Sequence, residues 1–221
     1  MMLPFDLVIF DCDGTLVDSE PASLAVLDRF VADLGLAMSR DEVVRAFVGR
    51  AAGASLALMA EMLGRPLPDG SAEEWERREF EAFGRSGVPA VDGVAEAIDR
   101  IATPICIASS GSHARMAVTL GASGLLDRFG ERLTGRIFSA TEVARGKPFP
   151  DLFLFAAERL AAAPNRCAVI EDSPAGVTAA VAAGMTAFAY AAGGHSNAAD
   201  LAQAGAVTFF RMADLPDLLR G

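Results

Sequence analysis

The chain has 221 residues, 52% hydrophobic and 22% charged, with 19 Lys and Arg against 29 Asp and Glu for a formal charge of −10 at pH 7. At about 100–200 residues per domain this is one large domain or one domain carrying an inserted smaller one, and so high an apolar fraction excludes a disordered chain. The acidic balance argues against nucleic acid and anionic membrane surfaces as partners, while a local site with a bound metal still accommodates a small anion.

Cys12, Cys106 and Cys167 are odd in number, widely spaced and without a CxxC pair, which fits a reducing compartment and neither a disulfide framework nor a zinc cluster. The opening MMLPFDLVIFDCDG has no basic stretch, and Pro4, Asp6 and Asp11 break its apolar run, so it does not read as a signal peptide. No apolar run approaches the roughly 20 residues of a membrane span. The expectation is a cytoplasmic protein with no membrane or nucleic-acid partner.

In chain order, residues 7–10 (LVIF) predict a strand buried on both faces. Residues 18–86 carry only helical patterns. Pro21 opens a stripe of Leu24, Leu27, Phe30, Val31 and Leu34 that Gly35 stops, and Ser39 with Glu42, like Ser71 with Glu74, fits a capping box. An all-helical stretch of about 70 residues is too long for a strand-to-strand crossover and predicts an inserted subdomain. From about residue 90, short apolar runs at 105–108, 167–170, 186–189 and 207–210 predict further buried strands. Helices are predicted at 92–101, 113–120, 151–161 and 174–183, two of them stopped by Gly121 and Gly184. The alternation predicts an α/β fold, a doubly wound parallel-sheet core at 1–17 and 87–221, with the helical insertion at 18–86.

Ligands of open α/β sheets sit beyond the carboxyl ends of the strands. There stand Asp11, Asp13, Gly14 and Thr15 after the first run, and Ser109, Ser110, Gly111 and Ser112 after the second. Gly146-Lys147-Pro148 precedes the helix at 151, and Glu171, Asp172 and Ser173 follow the run at 167–170. Each taken singly is ordinary turn polarity, but four such sets at one sheet edge point to a site. Carboxylates without His or Cys favour Mg²⁺ over zinc. Mg²⁺ and a lysine neutralise a phosphoryl group, backbone N–H groups near 109–111 hold its oxygens, and a carboxylate attacks phosphorus to give an aspartyl-phosphate that water hydrolyses.

DCDGTLVDSE resembles the opening motif of the haloacid dehalogenase-like phosphatases, ASSGS their second motif, GKPFPDLF their third and IEDSPAGVTAAVAAGM their fourth, in the family's order across essentially the whole chain. The helical insertion is similar to the family's α-helical cap, which on closing would exclude bulk water and choose the substrate. The resemblance implies Asp11 as nucleophile and Asp13 as general acid and base. It implies Ser109 and Lys147 as holders of the phosphoryl group, with Gly14, Thr15, Ser110 and Gly111 beside them. Mg²⁺ would be bound by Asp172, Asp11 and the main-chain carbonyl of Asp13, with Glu171 in support. Dehalogenases of the family lack the second aspartate of DxD, so Asp13 implies phosphate chemistry. The partner implied is a small phosphorylated metabolite, a sugar or sugar-acid phosphate, and the chain would be a monomer.

The β-phosphoglucomutases share all four motifs but carry a histidine shortly after DxD, and a lysine and arginine in the first cap loop. This sequence has Ser23 in the first place and Val48 and Ala52 in the others. A phosphomutase therefore stands as the alternative to a phosphatase of the sugar-phosphate branch resembling the 6-phosphogluconate phosphatases, and a non-catalytic binding module as the second. Arg50 and His195 are candidates for the non-phosphate end of the substrate, Arg50 being equally readable as a solvated helix-end arginine. Arg45 reads as solvated, His113 as a helix-start residue, Trp75, Met59 and Met62 as packing of the insertion, and Cys12 as packing. The absence of GxxxxGK[ST], GxGxxG, GxSxG and HExxH removes support for nucleotide-loop kinases, dinucleotide enzymes, serine hydrolases and zincins.

Overall fold

In the computed structural model, which describes residues 4–47, 50, 52–193 and 197–220, the chain divides into two compact units, 1–18 with 89–221, and 19–88. The first unit holds six strands: β1 (Leu7–Phe10), β2 (Ile105–Ser109), β3 (Ile137–Ser139), β4 (Cys167–Glu171), β5 (Thr186–Tyr190) and β6 (Val207–Phe209). All pair in parallel in the order β3-β2-β1-β4-β5-β6. Three of the strands, β1, β2 and β4, are buried along their whole length, because helices cover both faces of the sheet and leave no solvated side for alternation there.

The second unit contains α1 (Glu20–Asp33), α2 (Arg40–Phe47), α3 (Ala52–Leu63) and α4 (Ser71–Ser86); the first contains α5 (Val94–Arg100), α6 (His113–Ala122), α7 (Leu125–Leu133), α8 (Asp151–Arg159), α9 (Pro174–Ala182), α10 (Ala198–Gln203) and α11 (Leu215–Leu218). One sheet face packs Leu7, Ile9, Cys106, Cys167 and Val169 against Leu152, Phe153 and Ala156 of α8 and the small residues Val177, Ala179 and Ala180 of α9. The other brings Phe10, Ile105 and Ile107 to Ile98 of α5, Leu120 of α6, and Leu125, Phe129 and Leu133 of α7. Strand alternation sends successive residues to these two cores. No helix among the described residues is long and apolar enough to cross a membrane.

The helical unit has its own core, with Leu27, Phe30, Val31, Val43, Phe47 and Met59 buried and Trp75 stacked on Phe30 at 5.6 Å between ring centroids. Ser39 and Glu42 form the expected reciprocal cap: the Ser39 N–H donates to Glu42 Oε2 at 2.8 Å and the Glu42 N–H to Ser39 Oγ at 3.4 Å. Ser71 does not cap. Its hydroxyl donates back to the Pro68 carbonyl, the cap position is Gly70 in a left-handed conformation, and Glu74 instead pairs with Arg77 and Arg78. Met62 is solvent-exposed, facing away from the core that Met59 fills. The polar face of α4 is laced with Arg77–Glu81 and Arg85–Glu81 pairs, worth little individually because water screens them.

Neither β3 nor α7 is among the elements expected from the sequence. β3 is three residues at the sheet edge, too short to show a pattern, whereas Leu125, Phe129 and Leu133 do recur at helical spacing. Gly121 does not stop α6, which runs on to Ala122; the left-handed residue between α6 and α7 is Gly124, with φ 76°. Gly184, with φ 74°, ends the α9 region as expected. Leu152 is fully buried under the sheet. Leu152→Ala should cost about 2–5 kcal/mol, the range for emptying a buried leucine site, read as a lowered urea midpoint at unchanged slope.

Candidate active site

The chain runs outward from β1 through β2 to β3, then returns to place β4 on the other side of β1. The carboxyl ends of β1, β2 and β4 therefore meet where the direction of winding reverses, the position at which open α/β sheets bind ligands. Asp11 is the first residue beyond β1, and its N–H donates to the Ile170 carbonyl of β4 at 2.9 Å. The next residues curl tightly: Leu16 and Val17 N–H groups both donate to the Cys12 carbonyl, and the Gly14 N–H to the Val17 carbonyl. Gly14 is needed twice over. Its φ is 81°, and a Cβ there would lie 2.0 Å from Asp172 Oδ2.

Lys147, from the segment between β3 and α8, places Nζ 2.5 Å from Asp11 Oδ1 and 2.6 Å from Glu171 Oε1, over the Phe153 ring at 5.0 Å. Its side chain is 5% exposed and that of Glu171 0%. The other oxygen of Glu171 accepts the Asp172 and Ser173 N–H groups and the Ser173 hydroxyl. Ser173 also caps α9, accepting the Gly176 N–H at 3.1 Å. A Cβ on Gly176 would fall 1.8 Å from Glu171 Oε1, so the carboxylate occupies space that only glycine leaves. Burial pushes the Asp11 carboxyl above the usual carboxylate range; Lys147 opposes the shift and Glu171 adds to it. Burial alone would push the Lys147 ammonium down, but Asp11 and Glu171 outweigh it and hold the proton on.

Asp11, Glu171 and Asp172 each offer a carboxylate oxygen within 4.8 Å of the others'. An all-oxygen donor set of this kind suits a hard cation such as Mg²⁺. Because Glu171 already spends both oxygens on Lys147 and the start of α9, Asp11 and Asp172 are the carboxylates best placed to ligate, with Glu171 holding the lysine behind them.

Ser109, 2% exposed at the end of β2, accepts the Gly111 N–H on Oγ at 3.1 Å. Ser110 is exposed, Ser139 donates its hydroxyl to the Gly111 carbonyl, and Ser112 caps α6 by accepting the Arg115 N–H. Thr15 is completely buried, its Oγ1 without a partner among the described residues. Asp13 is gripped from α6: Arg115 donates to its carboxylate from Nε at 3.1 Å and from Nη2 at 3.3 Å. Sequence reasoning missed Arg115, which carries no motif or periodic signal.

Arg50, exposed in the helical unit, donates Nε to the Ala46 carbonyl at 2.6 Å. His195 and Val48 lie outside the described residues. His113 starts α6 and pairs at the surface with Glu142. Cys12 is buried with Sγ 3.9 Å from Thr119 Oγ1, and burial pushes its thiol well up, as a packing residue requires.

Such an acidic cluster around a buried lysine, at the switch point of a parallel sheet, defines an α/β protein built for chemistry on a small anion. Residues 5–184 match the haloacid dehalogenase-like hydrolases, and the chain belongs to that family. It is similar to the 6-phosphogluconate phosphatase of Escherichia coli (strain K12), 29% identical over 98% of this chain and 96% of that one. It is also similar to hexitol phosphatase A of the same organism, 35% identical over 80% of this chain and 78% of that one. Among solved structures, a haloacid dehalogenase-family hydrolase of Deinococcus radiodurans R1 with bound phosphate and sodium superposes with a TM-score of 0.76 at 34% identity, covering 97% of this chain and 94% of that one.

Lys147→Ala would leave the Asp11 and Glu171 carboxylates buried without their shared cation. The expected cost is about 3–5 kcal/mol, the range for breaking a buried pair from one side, measured by urea unfolding in the presence of chelator. Gly14→Ala should lower Tm and activity together, since its Cβ displaces Asp172 and its backbone is strained by about 1 kcal/mol or more.

Proposed function

We propose that the protein is a Mg²⁺-dependent phosphatase acting on a small phosphorylated metabolite, a sugar or sugar-acid phosphate, through an aspartyl-phosphate on Asp11. The observation that carries this reading is the Asp11 carboxylate at the β1 end, held 2.5 Å from the buried Lys147 ammonium beside Asp172. The two relatives named above are phosphatases whose names specify a sugar-acid phosphate and a hexitol phosphate, and the Deinococcus structure was solved with phosphate. Both support the substrate class.

Asp11 attacks phosphorus; as the Asp11 O–P bond forms, the bond to the ester oxygen breaks, and Asp13 gives its proton to the departing alkoxide. Water then attacks the phosphoryl aspartate, Asp13 takes the water's proton, and the Asp11 O–P bond breaks to release phosphate. Lys147 holds phosphoryl oxygens by charge. Ser109 contributes its O–H, because its oxygen already accepts from Gly111. Asp11, Asp172 and the Asp13 main-chain carbonyl would hold Mg²⁺, whose charge would favour the ionised Asp11 and offset the negative charge of the phosphoryl group.

The test is release of inorganic phosphate from a panel holding 6-phosphogluconate, glucose 1- and 6-phosphates and hexitol phosphates, with and without Mg²⁺. We expect release from sugar or sugar-acid esters and its loss on chelation. Asp11→Asn should fall by about 10⁴-fold or more, as when a nucleophile is removed. Turnover by a folded Asp11→Asn protein would defeat the mechanism. No phosphate release with interconversion of β-glucose 1-phosphate and glucose 6-phosphate would replace the phosphatase by a phosphomutase.

A further inference from the structure

The Asp13–Arg115 pair joins two residues 102 positions apart and is built into the fold on three sides. Arg115 lies in the first turn of α6, where its N–H is held at 3.2 Å by the cap residue Ser112. Its side chain then runs back beside Gly111, where a Cβ would come 3.1 Å from Arg115 Cδ. The same helix is keyed to the loop one residue earlier by Cys12 against Thr119, whose hydroxyl donates to the Arg115 carbonyl. The guanidinium side chain is 18% exposed and the Asp13 side chain 28%, so the pair is neither free in water nor sealed from a ligand.

A two-point contact from Nε and Nη2 fixes the plane of a carboxylate as well as its position, which a lysine cannot do. We infer that Arg115 is a positioning residue that aims the Asp13 carboxyl at the ester oxygen of the substrate, with Gly111 as the glycine that lets its side chain pass. The inference rests on Asp13 acting as the acid of the proposed phosphatase reaction. It predicts that loss of Arg115 is felt in proportion to how much the leaving group needs a proton.

The experiment compares kcat/KM, which reports transfer to Asp11, for phenyl phosphate and 2,4-dinitrophenyl phosphate, whose leaving group departs unprotonated. Asp13→Asn sets the pattern: a large loss on the phenyl ester and little on the dinitrophenyl ester. Arg115→Gln should lose up to about 100-fold on the phenyl ester, the scale of a misplaced catalytic group, while staying within about threefold on the dinitrophenyl ester. The double variant should be no worse than Asp13→Asn, because both changes remove one function. Arg115→Lys, which keeps the charge without the fork, should show the same selective loss to a smaller degree and serves if the glutamine variant does not fold. Equal losses on both esters, additive effects in the double variant, or faster turnover without Arg115 would overturn the inference. Wild-type protein that releases phosphate from neither these esters nor any of the metabolite panel would overturn the phosphatase reading and the inference with it.

Discussion

The constraint on which the site depends is the burial of one ammonium, Lys147, between two carboxylates, Asp11 and Glu171. Charges taken out of water persist only when paired and hydrogen-bonded, and here the three groups arrive from the end of β1, the end of β4 and the segment before α8. Each arrival depends on the next. Glu171 is held by the N–H groups of Asp172 and Ser173 just before α9, the Gly176 position gives it room, and Lys147 lies over Phe153 of α8, itself packed under the sheet. The order of strands, with β1 between β2 and β4, is what lets these ends approach one another.

Alternate residues of the β1 extension are served by different parts of the scaffold. Asp11 is set by Lys147 and the β4 end, whereas Cys12 and Asp13 are set by α6 through Thr119 and Arg115. Two carboxylates two residues apart thus sit in different electrostatic surroundings, one beside an ammonium and a second carboxylate, the other against a guanidinium fork. Glycine recurs at the points of closest approach, Gly14 against Asp172, Gly111 against Arg115 and Gly176 against Glu171, because the functional side chains fill the volume a Cβ would take.

The helical unit follows different physics. It has its own apolar core around Phe30 and Trp75, and a charged face on α4 whose arginines pair with Glu74 and Glu81 of the same helix and, from Arg78, with Asp33 of α1. Those pairs are exposed and cheap to exchange, so the unit's surface can vary while its core persists.

The alternation of buried strands with helices was legible in the sequence because both periodicities are local, and so was the insertion, a long stretch with helical patterns alone. The candidate residues were legible as well, since Asp11, Ser109 and Asp172 stand at or just beyond strand ends, Lys147 stands in the segment before α8, and all lie in motifs that can be read in order. Local pattern misled at Ser71, whose hydroxyl found the Pro68 carbonyl instead of a backbone N–H, and was too short to reveal β3. What only the tertiary structure decided is which of the strand-end groups meet. That Lys147 lies between Asp11 and Glu171 and that Arg115 grips Asp13 are contacts across 136, 24 and 102 positions of chain. Such contacts have no local signature, because they are set by strand order and helix packing, and the residues that make them are individually ordinary.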